Sequence, residues 1–365
     1  MSEEKRKPTS CDLRILWKLM VRDGECTMRR HVIVGALVLT AVAVASAAGP
    51  ETQFKGPRTA EGQPDVHGVW NFSSGVPLQR PAAFADKKFF TKEEFDKQRA
   101  TARNGLAAIA RFAPVEAVSV DWIDTDIRVD DLRTSLITYP ENGRLPALVE
   151  GITRLPGVED ILSALSDPKS ADPRLFTQLA AFGAGKKDSH SDLGPSERCL
   201  LGPLVPIMPG LGDNYVQIIQ SRDQVALRTD EFVRIIALDG KAPVGDRLRS
   251  WAGVSRGHWE GETLVVETRH FNNQSQSFAG AGRSREKVVT ERFTRTSQNS
   301  IEYAATVVDP KTFQDKVEVS FPMARVDAHI YESTCHEGNY SLPNVLSAAR
   351  AEEREAREAM KQVAK

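Results

Sequence analysis

The sequence has none of the short patterns that mark several common enzyme classes. The pattern Gly-x-Ser-x-Gly of serine hydrolases does not occur, and no glycine-rich loop joins a strand to a helix as a nucleotide site requires. No two histidines have the four-residue spacing of a zinc-binding helix. Basic residues are not in excess, with 48 Lys and Arg against 49 Asp and Glu. We therefore predict no metal, no cofactor and no nucleic-acid partner.

The uncharged run near the amino terminus is too short to cross a membrane. It covers residues 32–45, whereas a membrane-spanning helix needs about 20 residues. Arg29 and Arg30 precede this run, and Ala45-Ser46-Ala47 follows it as a small-x-small cleavage site. This order predicts a secretory signal, with a retained membrane anchor as the alternative. Residues 1–27 fit a signal poorly, which favours Met28 as the true start.

Cleavage after residue 47 changes the charge and the cysteine content. It removes eight basic and five acidic residues, so the mature chain has 40 basic and 44 acidic residues and a net charge of −4. Cys199 and Cys335 remain of the four cysteines. Because export leads to an oxidising compartment, we expect these two to form a disulfide, with two free thiols as the alternative. The predicted location is the periplasm or the medium, with no membrane span after cleavage.

Short alternating apolar segments with turn residues between them predict a mainly β fold. The predicted strands are 68–72, 215–220, 224–229, 232–238, a segment at His258, 262–271, 287–295, 301–308 and 316–323. Asn142-Gly143 also predicts a hairpin within residues 133–146. Short strands joined by tight turns favour an antiparallel barrel or sandwich.

Helices are predicted at three places around this β domain. Thr91 and Glu94 form a capping box, which predicts a helix over 91–103. Helices are also predicted within 157–183 and over 345–364. The predicted organisation is a leader at 1–47, a flexible arm at 48–65, a single β-rich domain at 66–343 with a helical insertion at 150–190, and a surface helix at 344–365.

Several motifs resemble those of an uncharacterised family of secreted bacterial proteins. They are Ser255–Thr268 (SRGHWEGETLVVET), Glu197–Leu200 (ERCL), Cys335–Tyr340 (CHEGNY), Arg133–Ile137 and Pro64–Trp70. This resemblance covers most of the mature chain but implies no particular reaction. Gly68-Val69-Trp70 is also similar to the first-strand motif of lipocalin-like (calycin) barrels, which implies an up-and-down barrel.

A disulfide between Cys199 and Cys335 would bring distant polar residues together, because it holds the two Cα atoms within about 7 Å. The residues concerned are Glu197, Arg198, His336, Glu337 and Tyr340. The first four are candidate catalytic residues, with His336 suited to acid–base chemistry near neutral pH. The alternative is a hydrogen-bonded network that fixes the carboxyl-terminal segment to the barrel.

Other polar residues lie on the predicted strands and would line a barrel if they face inward. Arg256, His258 and Glu260 share one face of their strand, and Glu267 lies on a half-polar face of the next. Glu291, Arg295 and Tyr303 follow on later strands. The candidate ligand-binding residues are Arg256, His258, Trp259, Glu267, Tyr303, Tyr340 and Trp70. Ion pairs on the outer surface are the alternative for the charged residues.

Three functional hypotheses follow from these patterns. The first is an exported barrel that binds a small apolar or amphipathic molecule. The second is a cofactor-free lyase, hydratase or isomerase that acts on such a molecule with the His336, Glu337 and Arg198 group. The third is a structural envelope protein with a packed interior. The sequence does not indicate an oligomeric state.

Overall fold

The computed structural model describes most of the chain from Phe54 onward. The described residues are 54–101, 131–154, 188–192, 198–200, 205–210, 212, 214–241, 245, 247–275, 277–282 and 284–363. The predicted signal at 28–48, the predicted helix at 157–183 and Glu197 lie outside these ranges.

Nine strands form a closed barrel, and a tenth lies beside it. The described strands are β1 (Gly68–Asn71), β2 (Ile137–Tyr139), β3 (Tyr215–Gln220), β4 (Gln224–Arg228), β5 (Val233–Ala237), β6 (Val254–Glu260), β7 (Thr263–Arg269), β8 (Val288–Ser297), β9 (Ser300–Val308) and β10 (Val317–Val326). Strand β1 pairs with both β3 and β10, which closes the barrel. The predicted mainly β fold is therefore confirmed as a barrel.

One pair of strands departs from the antiparallel pattern. Strands β5 and β6 run parallel, with Ile236 opposite Ser255, whereas the other neighbours in the barrel are antiparallel. Gly257 on β6 allows this close approach, because a Cβ atom there would lie 2.8 Å from Leu238 and 2.9 Å from Ile236. The barrel is thus mixed, and its parallel pair follows the long connection from β5 to β6.

The hairpin predicted within residues 133–146 is wrong. The turn is present, since the Gly143 N–H donates to the Pro140 carbonyl and Gly143 has a φ of 68°. Among residues 131–154, however, the strand before this turn, β2, pairs with β10 rather than with the residues that follow the turn. The sequence Asn142-Gly143 correctly predicted a turn of the chain, but it did not identify the strand that pairs with β2.

Alternating side chains of the strands point into the barrel and form an apolar core. The fully buried members include Trp70, Ile218, Leu227, Phe293, Tyr303, Ile301 and Phe321. The centroid of the Trp70 ring lies 5.7 Å from the Arg295 guanidinium and 6.0 Å from that of Arg325, and the indole N–H donates to the Val66 carbonyl.

Two predicted helices are present in the described residues. The first, α1, begins at residue 92 and continues to 101, where the described range ends. Its capping box is formed: the Thr91 N–H donates to Glu94 Oε2 and the Glu94 N–H donates to Thr91 Oγ1. The second, α2, covers Ser341–Val363. Of the helices in the described ranges, none is both long and apolar enough to cross a membrane.

Candidate functional site

Arg234 and Glu291 form a buried ion pair inside the barrel. Arg234 lies on β5 and Glu291 on β8, and strands β6 and β7 separate them in the sheet. The pair therefore crosses the interior instead of joining neighbouring strands. Nη1 of Arg234 donates to Oε2 of Glu291 at 2.7 Å, and Nη2 donates to Oε1 at 2.9 Å. This two-point geometry fixes both side chains in position.

Tyr303 extends the ion pair into what we call the polar cluster: Arg234, Glu291 and Tyr303. The Tyr303 hydroxyl donates to Glu291 Oε1 at 2.9 Å. The same hydroxyl accepts a hydrogen bond from the backbone N–H of Ile207, also at 2.9 Å. Ile207 is fully buried. Its hydrogen bond to Tyr303 therefore attaches the segment 205–210 to the polar cluster.

The polar cluster is surrounded by apolar rings. The Tyr303 ring lies 5.1 Å from Phe293 and 4.9 Å from Phe321, measured between ring centroids. Burial, together with the neighbouring charge of Glu291, raises the pKa of Tyr303 well above its usual value. Tyr303 is therefore a neutral phenol at physiological pH, and its hydroxyl donates a hydrogen bond to Glu291.

One nitrogen of the polar cluster has no hydrogen-bond partner among the described residues. The Arg234 Nε atom is buried and has no hydrogen-bond partner among the described residues. Both terminal nitrogens of the guanidinium are engaged by Glu291, so Nε points away from the carboxylate. A buried donor without a partner costs about 1–3 kcal/mol, which makes this atom a candidate contact for a bound molecule.

Two tryptophans predicted to bind a ligand also contribute to the interior. Trp70 is fully buried at the start of the barrel. Trp259 lies on β6, packs against the core, and has a buried indole N–H with no hydrogen-bond partner in the described part of the chain. Their positions are compatible with a role in binding, which stays a prediction.

The disulfide between Cys199 and Cys335 is confirmed, with the two Cα atoms 5.7 Å apart. It brings Asn339 to Cys199, where the Asn339 side-chain amide donates to Sγ at 3.0 Å. Arg198 lies over the ring of Trp251, with 5.2 Å between the guanidinium carbon and the ring centroid. The disulfide therefore joins two cysteines that are 136 residues apart in the sequence, as expected.

Among the described candidate catalytic residues near this disulfide, His336 and Glu337 are not enclosed. His336, Glu337 and Tyr340 are all exposed. In the described part of the chain, no hydrogen bond or ion pair joins the side chains of His336 and Glu337. Glu197 lies outside the described residues. A catalytic role for His336, Glu337, Arg198 and Glu197 stays a prediction, and a reaction at His336 would take place in contact with water.

The other predicted charged residues lie on the outer surface of the barrel. Arg256 Nη1 donates to Asp239 at 2.6 Å, and His258 pairs with Glu260 at 3.0 Å. Glu260 also accepts from Arg292 at 2.7 Å, and this contact together with His258 lowers the pKa of Glu260. These contacts are hydrogen bonds and salt bridges of a solvated sheet face.

Glu267 has the same kind of surroundings on β7. It accepts two hydrogen bonds from Arg269, at 2.5 and 2.9 Å, which lower its pKa. The inward-facing positions of the same strand are Leu264, Val266 and Thr268, all fully buried. A ligand-binding role for Glu267, Arg256 and His258 stays a prediction that would have to operate from outside the barrel.

Lys287, which directly precedes β8, is another buried titratable group. Its ammonium lies 4.3 Å from the centroid of the Phe271 ring. Burial lowers the pKa of Lys287 to about 8, although the charge of Asp309 opposes this effect. The difference from the ordinary value of 10.5 corresponds to about 3 kcal/mol of unfavourable free energy for the charged form in the folded state.

We expect this lysine to make stability depend on pH. Between pH 8 and 10.5 the unfolded chain binds a proton that the folded chain does not, so the free energy of unfolding rises with pH in this range. The expected gain from pH 7.5 to 9.5 is about 2 kcal/mol, measured by urea unfolding. Above pH 10 the raised pKa of Tyr303 acts in the opposite direction, so the range ends below it.

The matched variants for this measurement are Lys287→Met and Lys311→Met. Lys311 is exposed and pairs with Glu286 at 3.7 Å, so its replacement should keep the slope of the wild-type chain. Lys287→Met should flatten the slope, whatever its effect on stability at pH 7.5. An equal slope in wild type and Lys287→Met would contradict the assignment.

No family model, curated protein or solved structure matches this chain. Its function must therefore be inferred from the barrel and the groups inside it. Among the described residues, no group of three His, Cys, Asp or Glu side chains is placed to hold a metal ion.

Proposed function

We propose that the mature chain is an exported barrel that binds a small apolar or amphipathic molecule in its interior. The observation that supports this proposal most directly is the polar cluster, a neutralised ion pair and a phenol enclosed by apolar side chains. Small-molecule sites typically combine apolar walls with a few polar groups that orient the ligand. Barrels of about eight strands are wide enough to hold one small ligand, as lipocalins do, and this barrel has nine.

A purely structural role explains the polar cluster less well. A buried ion pair adds little net stability, because apolar side chains of similar volume are often as stable or more stable in its place. The unused Nε of Arg234 makes the structural interpretation weaker still, since a group kept only for stability would be expected to use all its buried donors. A role in orienting a ligand would explain both the buried ion pair and the unpartnered Nε of Arg234.

Export is the second part of the proposal. It rests on the basic start, apolar run and small-x-small site of residues 28–48, and the disulfide between Cys199 and Cys335 agrees with an oxidising compartment. A calycin-like relationship is likewise proposed, on the Gly68-Val69-Trp70 motif at the first barrel strand and the closed barrel.

The binding function can be tested with two neighbouring residues of β9. Ala305 is buried inside the barrel and Ala304 lies on the outer face. The purified chain from residue 48 would be extracted to identify bound molecules by mass spectrometry, and titrated with the apolar dye N-phenyl-1-naphthylamine. We expect saturable binding of the dye, weakened at least tenfold by Ala305→Phe and unchanged by Ala304→Phe.

Circular dichroism and urea unfolding would show that both variants fold, and Ala305→Leu would replace Ala305→Phe if the larger side chain prevents folding. A folded wild-type chain that carries no small molecule and takes up no dye would reject the proposal and favour a structural envelope protein.

A further inference from the structure

The unused donor of Arg234 faces a region in which the charges are already balanced. The positive charge of Arg234 is matched by Glu291, and Tyr303 adds no charge because it is a phenol. Glu291 has no unoccupied oxygen, since Oε2 accepts from Nη1 and Oε1 accepts from Nη2 and from Tyr303. The polar cluster therefore offers a molecule the unpartnered Nε–H of Arg234 and no unmatched charge.

Arg295, a buried arginine of β8, does not change this balance for a ligand at the polar cluster. Its guanidinium donates to the backbone carbonyls of Ser297, Gln298 and Asp65. Each of the three nitrogens of Arg295 therefore has a partner. The Arg295 guanidinium also contacts the Trp70 ring on β1. Within the polar cluster, the nitrogen without a partner is thus Nε of Arg234.

We infer that the ligand of this barrel carries an uncharged oxygen acceptor, such as the carbonyl of a ketone or ester, on an apolar body, and that this oxygen accepts a hydrogen bond from Nε of Arg234. The inference rests on the proposed binding function. A carboxylate is disfavoured because it would add an unmatched negative charge to a buried, neutral group. An ammonium is disfavoured for the same reason, because it would add an unmatched positive charge to this neutral group.

The test compares two molecules with the same chain length. Displacement of N-phenyl-1-naphthylamine by 2-dodecanone and by dodecanoate would give their affinities at pH 7.5. We expect the wild-type chain to bind 2-dodecanone at least tenfold more tightly than dodecanoate.

A conservative substitution isolates the contribution of Nε. Arg234→Lys keeps a positive charge that can pair with Glu291 but removes the Nε–H group. We expect it to weaken binding of 2-dodecanone by about ten- to a hundredfold, the effect of one hydrogen bond from a charged donor. Binding of the dye, which has no oxygen acceptor, should be retained. Arg292→Lys, which alters the exposed pair with Glu260, is the matched control and should change neither affinity.

A second measurement needs no variant. The infrared band of 2-dodecanone labelled with ¹³C at the carbonyl should move to lower frequency on binding, relative to its position in an alkane, because the carbonyl accepts a hydrogen bond from a charged donor. This measurement keeps the inference testable if Arg234→Lys fails to fold.

The possible results separate the inference from the proposed function. If the dye does not bind the folded wild-type chain, the proposed function fails and the inference fails with it. If the dye binds but dodecanoate binds as tightly as the ketone, the function stands and the inference is overturned. An unchanged ketone affinity in folded Arg234→Lys, or an unshifted carbonyl band, also overturns it and would leave an internal water as the partner of Nε.

Discussion

Replacing Glu291 by Gln is expected to lower the free energy of unfolding by about 3–5 kcal/mol. The glutamine side chain has nearly the same shape, but it removes the charge that neutralises Arg234 inside the barrel. Both side chains are almost fully buried, so water cannot compensate for the loss. Urea unfolding at pH 7, followed by circular dichroism, would measure the change.

The matched control for Glu291→Gln is Glu260→Gln on the outer surface. Glu260 also pairs with an arginine, Arg292, but both side chains are about half exposed. Because solvent screens such pairs, this variant should have little effect. Equal effects of the two substitutions would contradict the burial of the polar cluster.

A double variant separates the cost of an unmatched charge from the value of the pair. Arg234→Met combined with Glu291→Leu removes both charges and fills the space with apolar atoms. It should recover most of the stability lost in Glu291→Gln, because replacing both partners is often neutral. A double variant as unstable as the single one would show that the pair itself stabilises the barrel.

The individual strands of the barrel could be predicted well from the sequence. Strand β3 has the predicted bounds, and β9 differs from the prediction by one residue. The alternation that identifies a strand is a local property, set by which side chains face the core. Pairing is not local. Parallel and antiparallel neighbours have the same period, so the parallel pair of β5 and β6 could not be recognised from alternation.

Tyr303 was predicted as a binding residue, but its partner Arg234 was missed for a physical reason. On β5 both faces contain apolar residues, and the fully apolar one carries Val233 and Ile235. The structure exposes these two side chains, at 59% and 51%, and turns Arg234 inward. The pattern of β5 alone therefore predicts that Val233 and Ile235 face the core, which is the opposite of what the structure shows.

Information on the inward face of β5 is present in the neighbouring strand. Strand β4 has a clear inner face at Val225 and Leu227, because its alternate residues include Gln224 and Arg228. The register of the hairpin places Leu227 opposite Arg234. Since opposite residues of paired strands share a face, the hairpin register rather than the strand alone identifies Arg234 as an interior residue.

Loss of the disulfide is the second large effect that we expect. Replacing Cys199 and Cys335 together by Ser should lower the free energy of unfolding by about 5 kcal/mol in the chain-entropy model, because the bond closes a loop of 136 residues. The folded chain should lose little else, since Arg228 still donates to the Ile330 carbonyl and the Ser333 N–H to the Asp230 carbonyl. Urea unfolding of both proteins would measure the difference.

Reduction of the wild-type chain gives an independent measurement of the same quantity. Dithiothreitol should lower the unfolding midpoint of the wild type toward that of the double serine variant and leave the variant unchanged. Thiol labelling of Cys199 and Cys335 would confirm that reduction has occurred. If the reduced wild type keeps its midpoint, the unfolded chain is already restricted without the bond, and the stabilisation of the barrel must come from contacts within the folded state.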